Sequence, residues 1–188
     1  MLFRSGSNLY LLERRNLSGG GTAQWGAVTS APLNALAYNK ADGYFYATNV
    51  NPLGTGAPYR LYRLGTTGAV EVAPLGNIPS ASTVAAGTVD ASGKMYIKLL
   101  QSDSTIYTVQ LPTTPGGVIG ATGTLTLNSS VALADMAFDP VTSQLYGVYT
   151  ANVPASDGAT VGGVVYQINP TTGAVTRNGT ALAVSGTN

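Results

Sequence analysis

The stretch AYNKADGYFY, residues 37–46, decides the fold because two later segments repeat its pattern. Those segments are TVDASGKMY at residues 88–96 and AFDPVTSQLY at residues 137–146. Each consists of an apolar strand, a polar turn and a second strand that carries a tyrosine. A spacing of 50 residues separates these tyrosines, which are Tyr46, Tyr96 and Tyr146. The period predicts a chain built from repeated β-hairpins.

Each repeat continues with another apolar strand that contains a tyrosine. The four copies lie at residues 9–12, 61–64, 106–109 and 165–168. Two of them lead into nearly the same hairpin, LGTTGAV at 64–70 and NPTTGAV at 169–175. The glycine after the threonines supplies the positive φ that a tight turn requires.

Counting strands gives the predicted architecture. Residues 8–29 supply two strands, and residues 33–76, 82–128 and 131–182 supply four each, which makes fourteen in all. Four-stranded units with a period of roughly 40–50 residues are typical of propeller blades. We therefore predict an all-β fold, a β-propeller represented by a partial ring of about three and a half four-stranded blades.

The two ends of the chain are predicted to lie outside this ring. Residues 1–7 are interpreted as a non-native or disordered start, because Met1–Ser5 has the sequence that a common sequencing adapter would encode. Residues 183–188 are interpreted as a tail or linker. We expect residues 8–182 to be a partial propeller whose remaining blades belong to a longer parent chain.

Charge and hydropathy argue against two classes of function. Charged residues make up 9% of the chain and the net charge is +1 at pH 7. Nucleic-acid binding needs clustered Lys and Arg, and the sequence has one tight pair, Arg14-Arg15. No apolar run approaches the roughly 20 residues of a membrane helix. We therefore expect neither nucleic-acid binding nor membrane insertion.

Cysteine is absent from the sequence, which excludes disulfides, thiolate metal sites and a cysteine nucleophile. A composition rich in Thr, Gly and Asn without Cys is typical of many bacterial secreted β-proteins. We therefore predict a secreted or cell-surface location in a bacterium. The expected partners there are proteins or carbohydrates.

Catalysis is disfavoured because histidine is absent as well. Without His or Cys, the usual general base and the common nucleophile pairs are unavailable. No Ser-x-x-Lys motif replaces them, since Ala37, Ala91 and Met95 stand three residues before Lys40, Lys94 and Lys98. The sequence therefore favours a non-catalytic role, and we assign no catalytic residue and no metal site.

Three aspartates fall in the first turns of successive repeats, and these are Asp42, Asp90 and Asp139. A short carboxylate in a turn accepts a hydrogen bond from the backbone N–H two residues on. We therefore favour a turn-stabilising role for all three. Calcium binding is the alternative, although calcium requires several oxygens that converge on one ion. No cofactor is predicted apart from this calcium alternative.

Three further residues are candidates for binding. Asp135 belongs to a first strand and would face a central channel if these strands line one. Trp25 lies outside the repeat consensus, and Tyr59 ends the loop at residues 50–59, so both are candidates for exposed contacts. The repeated tyrosines invite a carbohydrate-binding interpretation, but their equivalent positions favour core packing between repeats.

The segments AFDPVTSQLYG at 137–147 and VYQINPTTGAV at 165–175 resemble bacterial propellers of the seven-bladed type, in the quinoprotein-like and lactonase-like superfamilies. They are most similar to uncharacterised propeller domains of large secreted or cell-surface bacterial proteins. The resemblance covers nearly all of residues 8–182 and implies a propeller fold. It transfers no active-site residue, because enzymatic members use His or clustered metal-binding carboxylates.

These observations lead to two hypotheses of different classes. The first is a non-catalytic binding or scaffold module of an exported bacterial protein, formed by part of a larger propeller. The alternative is a fragment of a propeller hydrolase or lyase whose catalytic residues lie partly in the missing blades.

Overall fold

The computed structural model describes residues 2–5, 8–12, 22–27, 32–65, 68–80, 82–149 and 164–178. Only the backbone is described for residues 2–5, 8–12, 22–27, 149, 177 and 178. The described residues form fifteen β-strands and no helix, so none of their elements is a helix long and apolar enough to cross a membrane. The all-β fold class is therefore confirmed. The strands are β1 (Leu2–Ser5), β2 (Asn8–Leu12), β3 (Thr22–Ala27), β4 (Leu33–Asn39), β5 (Tyr44–Asn49), β6 (Tyr59–Gly65), β7 (Gly68–Leu75), β8 (Val84–Val89), β9 (Lys94–Leu99), β10 (Asp103–Gln110), β11 (Thr122–Val131), β12 (Asp135–Asp139), β13 (Gln144–Tyr149), β14 (Val164–Ile168) and β15 (Val175–Asn178).

The strands form antiparallel sheets in which neighbours in sequence are neighbours in space. The N-terminal sheet contains β1–β3, and three four-stranded sheets follow: sheet I (β4–β7), sheet II (β8–β11) and sheet III (β12–β15). The four-stranded sheets lie where the sequence predicted repeats, at 33–76, 82–128 and 131–182. Strand β11 runs to Val131, past the predicted boundary at residue 128.

The N-terminal sheet has one strand more than the pair expected from residues 8–29. Strands β2 and β3 pair within that range, and β1 adds Leu2–Ser5 antiparallel to Asn8–Leu12. The backbone of residues 2–5 is thus strand, and a non-native origin of residues 1–7 stays a prediction. Residues 183–188, interpreted as a tail or linker, lie outside the described residues.

The first hairpin of each four-stranded sheet turns on one residue in the left-handed conformation. These residues are Gly43 (φ 78°), Gly93 (φ 80°) and Ser143 (φ 55°). The hairpins that follow the paired threonines use Gly68 (φ 113°) and Gly173 (φ 72°), as the sequence predicted. Glycine adopts this conformation without the steric penalty of a Cβ atom, so Ser143 is the exception among the five.

Two hydrophobic cores fill the spaces between consecutive sheets. The core between sheets I and II includes Tyr46, Tyr59, Leu61, Met95 and Tyr107. The core between sheets II and III includes Tyr96, Ile106, Leu145, Tyr166 and Ile168. A smaller cluster on the other face of sheet I includes Leu33, Ala47, Tyr62 and Leu64. The prediction that most of the repeated tyrosines pack between repeats is confirmed for Tyr46, Tyr96, Tyr107 and Tyr166.

The first strands of the three four-stranded sheets lie side by side, with β8 against β4 on one side and β12 on the other. The Asn34 Nδ2 atom donates to the Val84 carbonyl oxygen at 3.0 Å. The Phe138 backbone N–H donates to Thr88 Oγ1 at 3.1 Å. Contacts between the fourth strands β11 and β15 are sparse by comparison. The sheets therefore approach each other most closely at their first strands.

Asparagine residues connect the outer parts of consecutive sheets. Asn77, just after β7, donates through Nδ2 to the Gly123 carbonyl oxygen at 3.0 Å. Asn128 in β11 accepts the Val175 N–H at Oδ1, also at 3.0 Å. The Asn128 N–H donates in turn to the Gly173 carbonyl oxygen at 3.0 Å. An asparagine near the end of the fourth strand thus joins each sheet to the next.

The close approach of β4 and β8 depends on the missing side chain of Gly87. A Cβ atom placed on Gly87 would lie 2.4 Å from Ala35 Cβ and 2.9 Å from Ala35 Cα. Carbon atoms do not approach this closely, and one of the two atoms belongs to the backbone. Any side chain at position 87 would therefore force the two strands apart.

We expect Gly87→Ala to lower the free energy of unfolding by about 1–3 kcal/mol, the usual cost of overpacking. Gly76→Ala is the matched control, because a Cβ atom there has no neighbour within 4 Å. Urea unfolding followed by far-ultraviolet circular dichroism gives both values. Equal stability of the two variants would contradict this account of the strand packing.

Candidate functional site

The three turn aspartates each hold their own hairpin. Asp42 Oδ1 accepts the N–H of Tyr44 at 3.1 Å. Asp90 Oδ1 accepts the N–H two residues on at 2.8 Å, and Asp139 Oδ1 does the same at 2.9 Å. At Asp139, hydrogen bonds from Thr142 and from the backbone hold the pKa of the carboxyl below its ordinary value. These bonds are the ones that a turn-stabilising role requires.

Two of these carboxylates also bind a buried tyrosine of the 50-residue period. The Tyr46 hydroxyl donates to Asp42 Oδ2 at 2.6 Å, and the Tyr96 hydroxyl donates to Asp90 Oδ2 at 3.0 Å. Burial first, and then the neighbouring aspartate, raise the pKa of each tyrosine well above its ordinary value. Both hydroxyls therefore stay protonated and act as hydrogen-bond donors. The third tyrosine, Tyr146, is half-buried.

No three acidic, histidine or cysteine side chains come together within the part of the chain that the structure describes. Asp42, Asp90 and Asp139 belong to three different hairpins. The calcium alternative for these residues stays a prediction, and it would need oxygens from outside any one turn.

Asp135 lies where the first strands meet. It lines a cavity of about 330 Å³ together with Asn34 and Ala35 of sheet I and the Ala85–Gly87 segment of sheet II. The Asp135 side chain is exposed, and its Oδ1 accepts the N–H of Met136 at 2.8 Å. The structure thus places Asp135 among first strands of all three sheets, and a binding role there stays a prediction.

The two aromatic contact candidates have different outcomes. Tyr59 is fully buried in the core between sheets I and II, so the prediction of an exposed Tyr59 was wrong. The residue is the first of β6, and strand alternation turns its ring inward. The exposed part of the preceding loop includes Leu53, with 58% of its surface accessible. The Trp25 side chain lies outside the described part of the structure.

A buried ion pair in sheet II was not predicted from the sequence. Lys98 is fully buried, and its Nζ lies 2.5 Å from Asp103 Oδ1 and 3.1 Å from the Gln101 carbonyl oxygen. Burial lowers the pKa of Lys98, although Asp103 opposes this shift. Burial opposes ionisation of Asp103, but hydrogen bonds from Lys98, Thr105 and Gln101 hold its pKa below the ordinary value. The pair fixes the β9–β10 hairpin.

The junction between sheets I and II is closed by an asparagine. Asn39, which is 1% exposed, donates through Nδ2 to the Pro112 carbonyl oxygen at 2.7 Å. Its Oδ1 accepts the N–H of Ala41 at 3.2 Å. Gly93 lies directly against it, since a Cβ atom on Gly93 would be 3.4 Å from Asn39 Oδ1. Both ends of the Asn39 amide are therefore used.

The corresponding junction between sheets II and III is open. A cleft of about 490 Å³ lies there, and its lining includes Asp90, Lys94, Tyr96, Phe138, Ser143 and Thr171. We call it the II–III cleft. It combines one acidic and one basic side chain with hydroxyl groups and aromatic rings, so it can bind a polar ligand that also has an apolar face.

A third cleft, of about 570 Å³, lies between the outer strands of sheet I and the loop at residues 116–120. Its charged side chains already have partners. Glu71 forms an ion pair with Arg60, and the Arg63 guanidinium lies 4.8 Å from the centre of the Tyr44 ring. The II–III cleft adds the Lys94 side chain, the hydroxyl groups of Ser143 and Thr171 and the Phe138 ring, so we take it as the better candidate for ligand binding.

We expect Asn39→Asp to destabilise the chain by at least about 2 kcal/mol, because it buries a carboxylate and leaves the Pro112 carbonyl without its donor. Asn169→Asp is the matched control. Asn169 acts through Oδ1, which accepts the N–H groups of Thr171 and Thr172, and an aspartate keeps both bonds. Urea unfolding at pH 7 measures the difference, and equal losses would refute the closing role of Asn39.

We expect Asp103→Asn to cost about 3 kcal/mol at pH 7, because it leaves the buried Lys98 ammonium without its counter-ion. Lys98→Met should cost less, since it removes the buried charge as well.

The depressed Asp103 pKa stabilises the fold above the ordinary aspartate value of 3.8, and this contribution disappears as the pH falls through the folded-state pKa. Urea unfolding as a function of pH should therefore show the Asp103→Asn deficit shrinking in acid; a constant deficit would exclude the ion pair as its source.

Comparison with known proteins agrees with the repeat architecture. A family model described as a repeat of unknown function, DUF6923, matches residues 5–187. No curated protein matches the sequence. The matched range includes all of sheets I, II and III and their junctions. The chain therefore belongs to the DUF6923 repeat family.

Proposed function

We propose that this chain is a non-catalytic binding or scaffold module of an exported bacterial protein. Its sheets would be blades of a β-propeller of the quinoprotein-like or lactonase-like type, and the remaining blades would come from the parent chain. The resemblance of the repeat segments and the cysteine-free composition support the bacterial and exported parts of the proposal. Protein or carbohydrate at the cell surface is the expected partner.

The arrangement of the sheets supports the propeller part. Sheets I, II and III have the same strand order, and their first strands lie side by side. Each junction has a hydrophobic core and an outer asparagine bond. Radial repetition of four-stranded sheets around shared first strands is the propeller arrangement.

The non-catalytic part of the proposal rests on the hydrogen bonds that the carboxylates accept within their own sheets. Six acidic residues have described side chains, and each accepts a hydrogen bond from its own sheet: Asp42, Glu71, Asp90, Asp103, Asp135 and Asp139. A general acid or base must instead be available to a substrate. The clefts between the sheets favour ligand binding over catalysis.

We expect the full chain to sediment with bacterial cell envelopes and to release no product from ester, glycoside or polyuronate substrates. Sedimentation followed by gel electrophoresis measures the first, and chromatography of the supernatant measures the second. Product release that Asp135→Asn abolishes would support the hydrolase or lyase alternative instead. Bovine serum albumin provides the control for non-specific sedimentation.

A further inference from the structure

The two junctions differ at one structurally equivalent position. Asn39 is the last residue of β4 and Asp90 directly follows β8, and each pairs with the first residue of the next strand. Each side chain accepts the N–H two residues on, at 3.2 and 2.8 Å. Pro112 and Pro170 each stand two residues after the third strand of the next sheet. Asp90 and Pro170 are therefore the residues of the II–III junction that correspond to Asn39 and Pro112 of the I–II junction. Both Asp90 and Pro170 line the II–III cleft.

The exchange of amide for carboxylate removes a donor. The Asn39 amide closes its junction by donating to a carbonyl oxygen, and an ionised carboxylate accepts hydrogen bonds only. Asp90 Oδ1 accepts bonds from the Ser92 N–H and hydroxyl and from the Lys94 N–H. Its Oδ2 accepts the Tyr96 hydroxyl and has capacity for another donor. The II–III cleft, which Asp90 and Pro170 both line, is where a ligand could supply such a donor.

Ser143 supports the same conclusion independently. It occupies the left-handed turn position that Gly43 and Gly93 hold in the other sheets, and it lines the II–III cleft. A side chain in this conformation is strained. Where Gly93 lies against Asn39, the equivalent Ser143 adds a hydroxyl group to the lining of the II–III cleft. Strain of this kind often occurs at binding sites.

The lining of the cleft indicates the class of ligand. Asp90 and Lys94 balance in charge, which favours a neutral ligand. Hydroxyl groups such as those of Ser143 and Thr171 exchange hydrogen bonds with a polyhydroxylated molecule, and the Phe138 ring offers an apolar surface to C–H groups. The cleft volume of about 490 Å³ lies within the usual range for small-ligand sites, roughly 300–1,000 Å³.

We propose that the II–III cleft binds a neutral carbohydrate, with Asp90 accepting a hydrogen bond from a ligand hydroxyl and Lys94 donating to another. This inference rests on the proposed function, because it names the ligand class of a binding module. The equivalent position of the junction between sheets I and II, where the Asn39 amide donates to Pro112, provides a comparison within the same chain. The third cleft lies elsewhere in that junction, at the outer strands.

The test uses the full chain with cellobiose, maltose and chitobiose, and with Ca²⁺ alone, in isothermal titration calorimetry and saturation-transfer difference NMR. We expect at least one disaccharide to bind. Asp90→Asn replaces an oxygen that can accept a ligand hydroxyl with an NH₂ donor, so it should weaken this binding about tenfold or more. It also turns a donor toward the Tyr96 hydroxyl, so the melting temperature should fall. Ser143→Gly removes a hydroxyl and relieves the strained turn, so it should weaken binding while raising the melting temperature.

Glu71→Gln is the matched control, because it makes the same change of carboxylate to amide at a surface ion pair outside the II–III cleft. It should leave disaccharide binding unchanged. Binding that survives both Asp90→Asn and Ser143→Gly would overturn the assignment to this cleft. Binding of Ca²⁺ alone, abolished by Asp90→Asn, would identify a cation site and overturn the carbohydrate proposal.

The outcomes separate this inference from the proposed function. A chain that sediments with envelopes but binds none of the disaccharides would refute the carbohydrate site and leave the module proposal standing. Release of product from a disaccharide would refute the non-catalytic proposal itself.

Discussion

The close approach of β4 and β8 is the constraint on which the rest of the structure depends. Because Gly87 has no side chain, the backbone of β8 lies so close to Ala35 that an added Cβ atom would be 2.4 Å from Ala35 Cβ. Contacts are sparser at the outer strands, so the sheets are widest apart there. Large side chains such as Tyr46, Tyr59 and Tyr107 occupy the space between sheets I and II. Small residues at the first strands and tyrosines farther out are therefore two consequences of one packing arrangement.

The buried tyrosines impose a second constraint, which explains the turn aspartates. An acceptor for a tyrosine hydroxyl enclosed between two sheets avoids the free-energy cost of an unpaired buried polar group. Asp42 provides it for Tyr46, and Asp90 provides it for Tyr96, while the same carboxylates hold the turns of their hairpins. Each aspartate thus stabilises its own turn and also pairs the hydroxyl of a tyrosine that is buried between two sheets.

The sequence predicted the features that are encoded locally. Strand alternation, turn residues and the 50-residue period located the three four-stranded sheets and the core tyrosines. It missed Lys98, because a lysine in a strand ordinarily faces water and its partner Asp103 lies in the next strand. It placed Tyr59 at the surface, because a residue that ends an exposed loop gives no local sign that it begins a buried strand. The bond from Asn39 to Pro112 joins residues 73 positions apart, which no local pattern encodes.

Asn39, Asp90 and Asp139 occupy the equivalent turn position of the three four-stranded sheets. All three side chains accept the N–H two residues on, so each supports its turn regardless of whether it is an amide or a carboxylate. The side chains differ in the second polar atom of the group, which is the donor Nδ2 in Asn39 and the acceptor Oδ2 in Asp90 and Asp139. The Asn39 amide donates across its junction to the Pro112 carbonyl oxygen, whereas an ionised carboxylate at the same position can only accept hydrogen bonds. The two side chains therefore support their turns through the same kind of oxygen atom, and only the amide adds a donor that bonds to the next sheet.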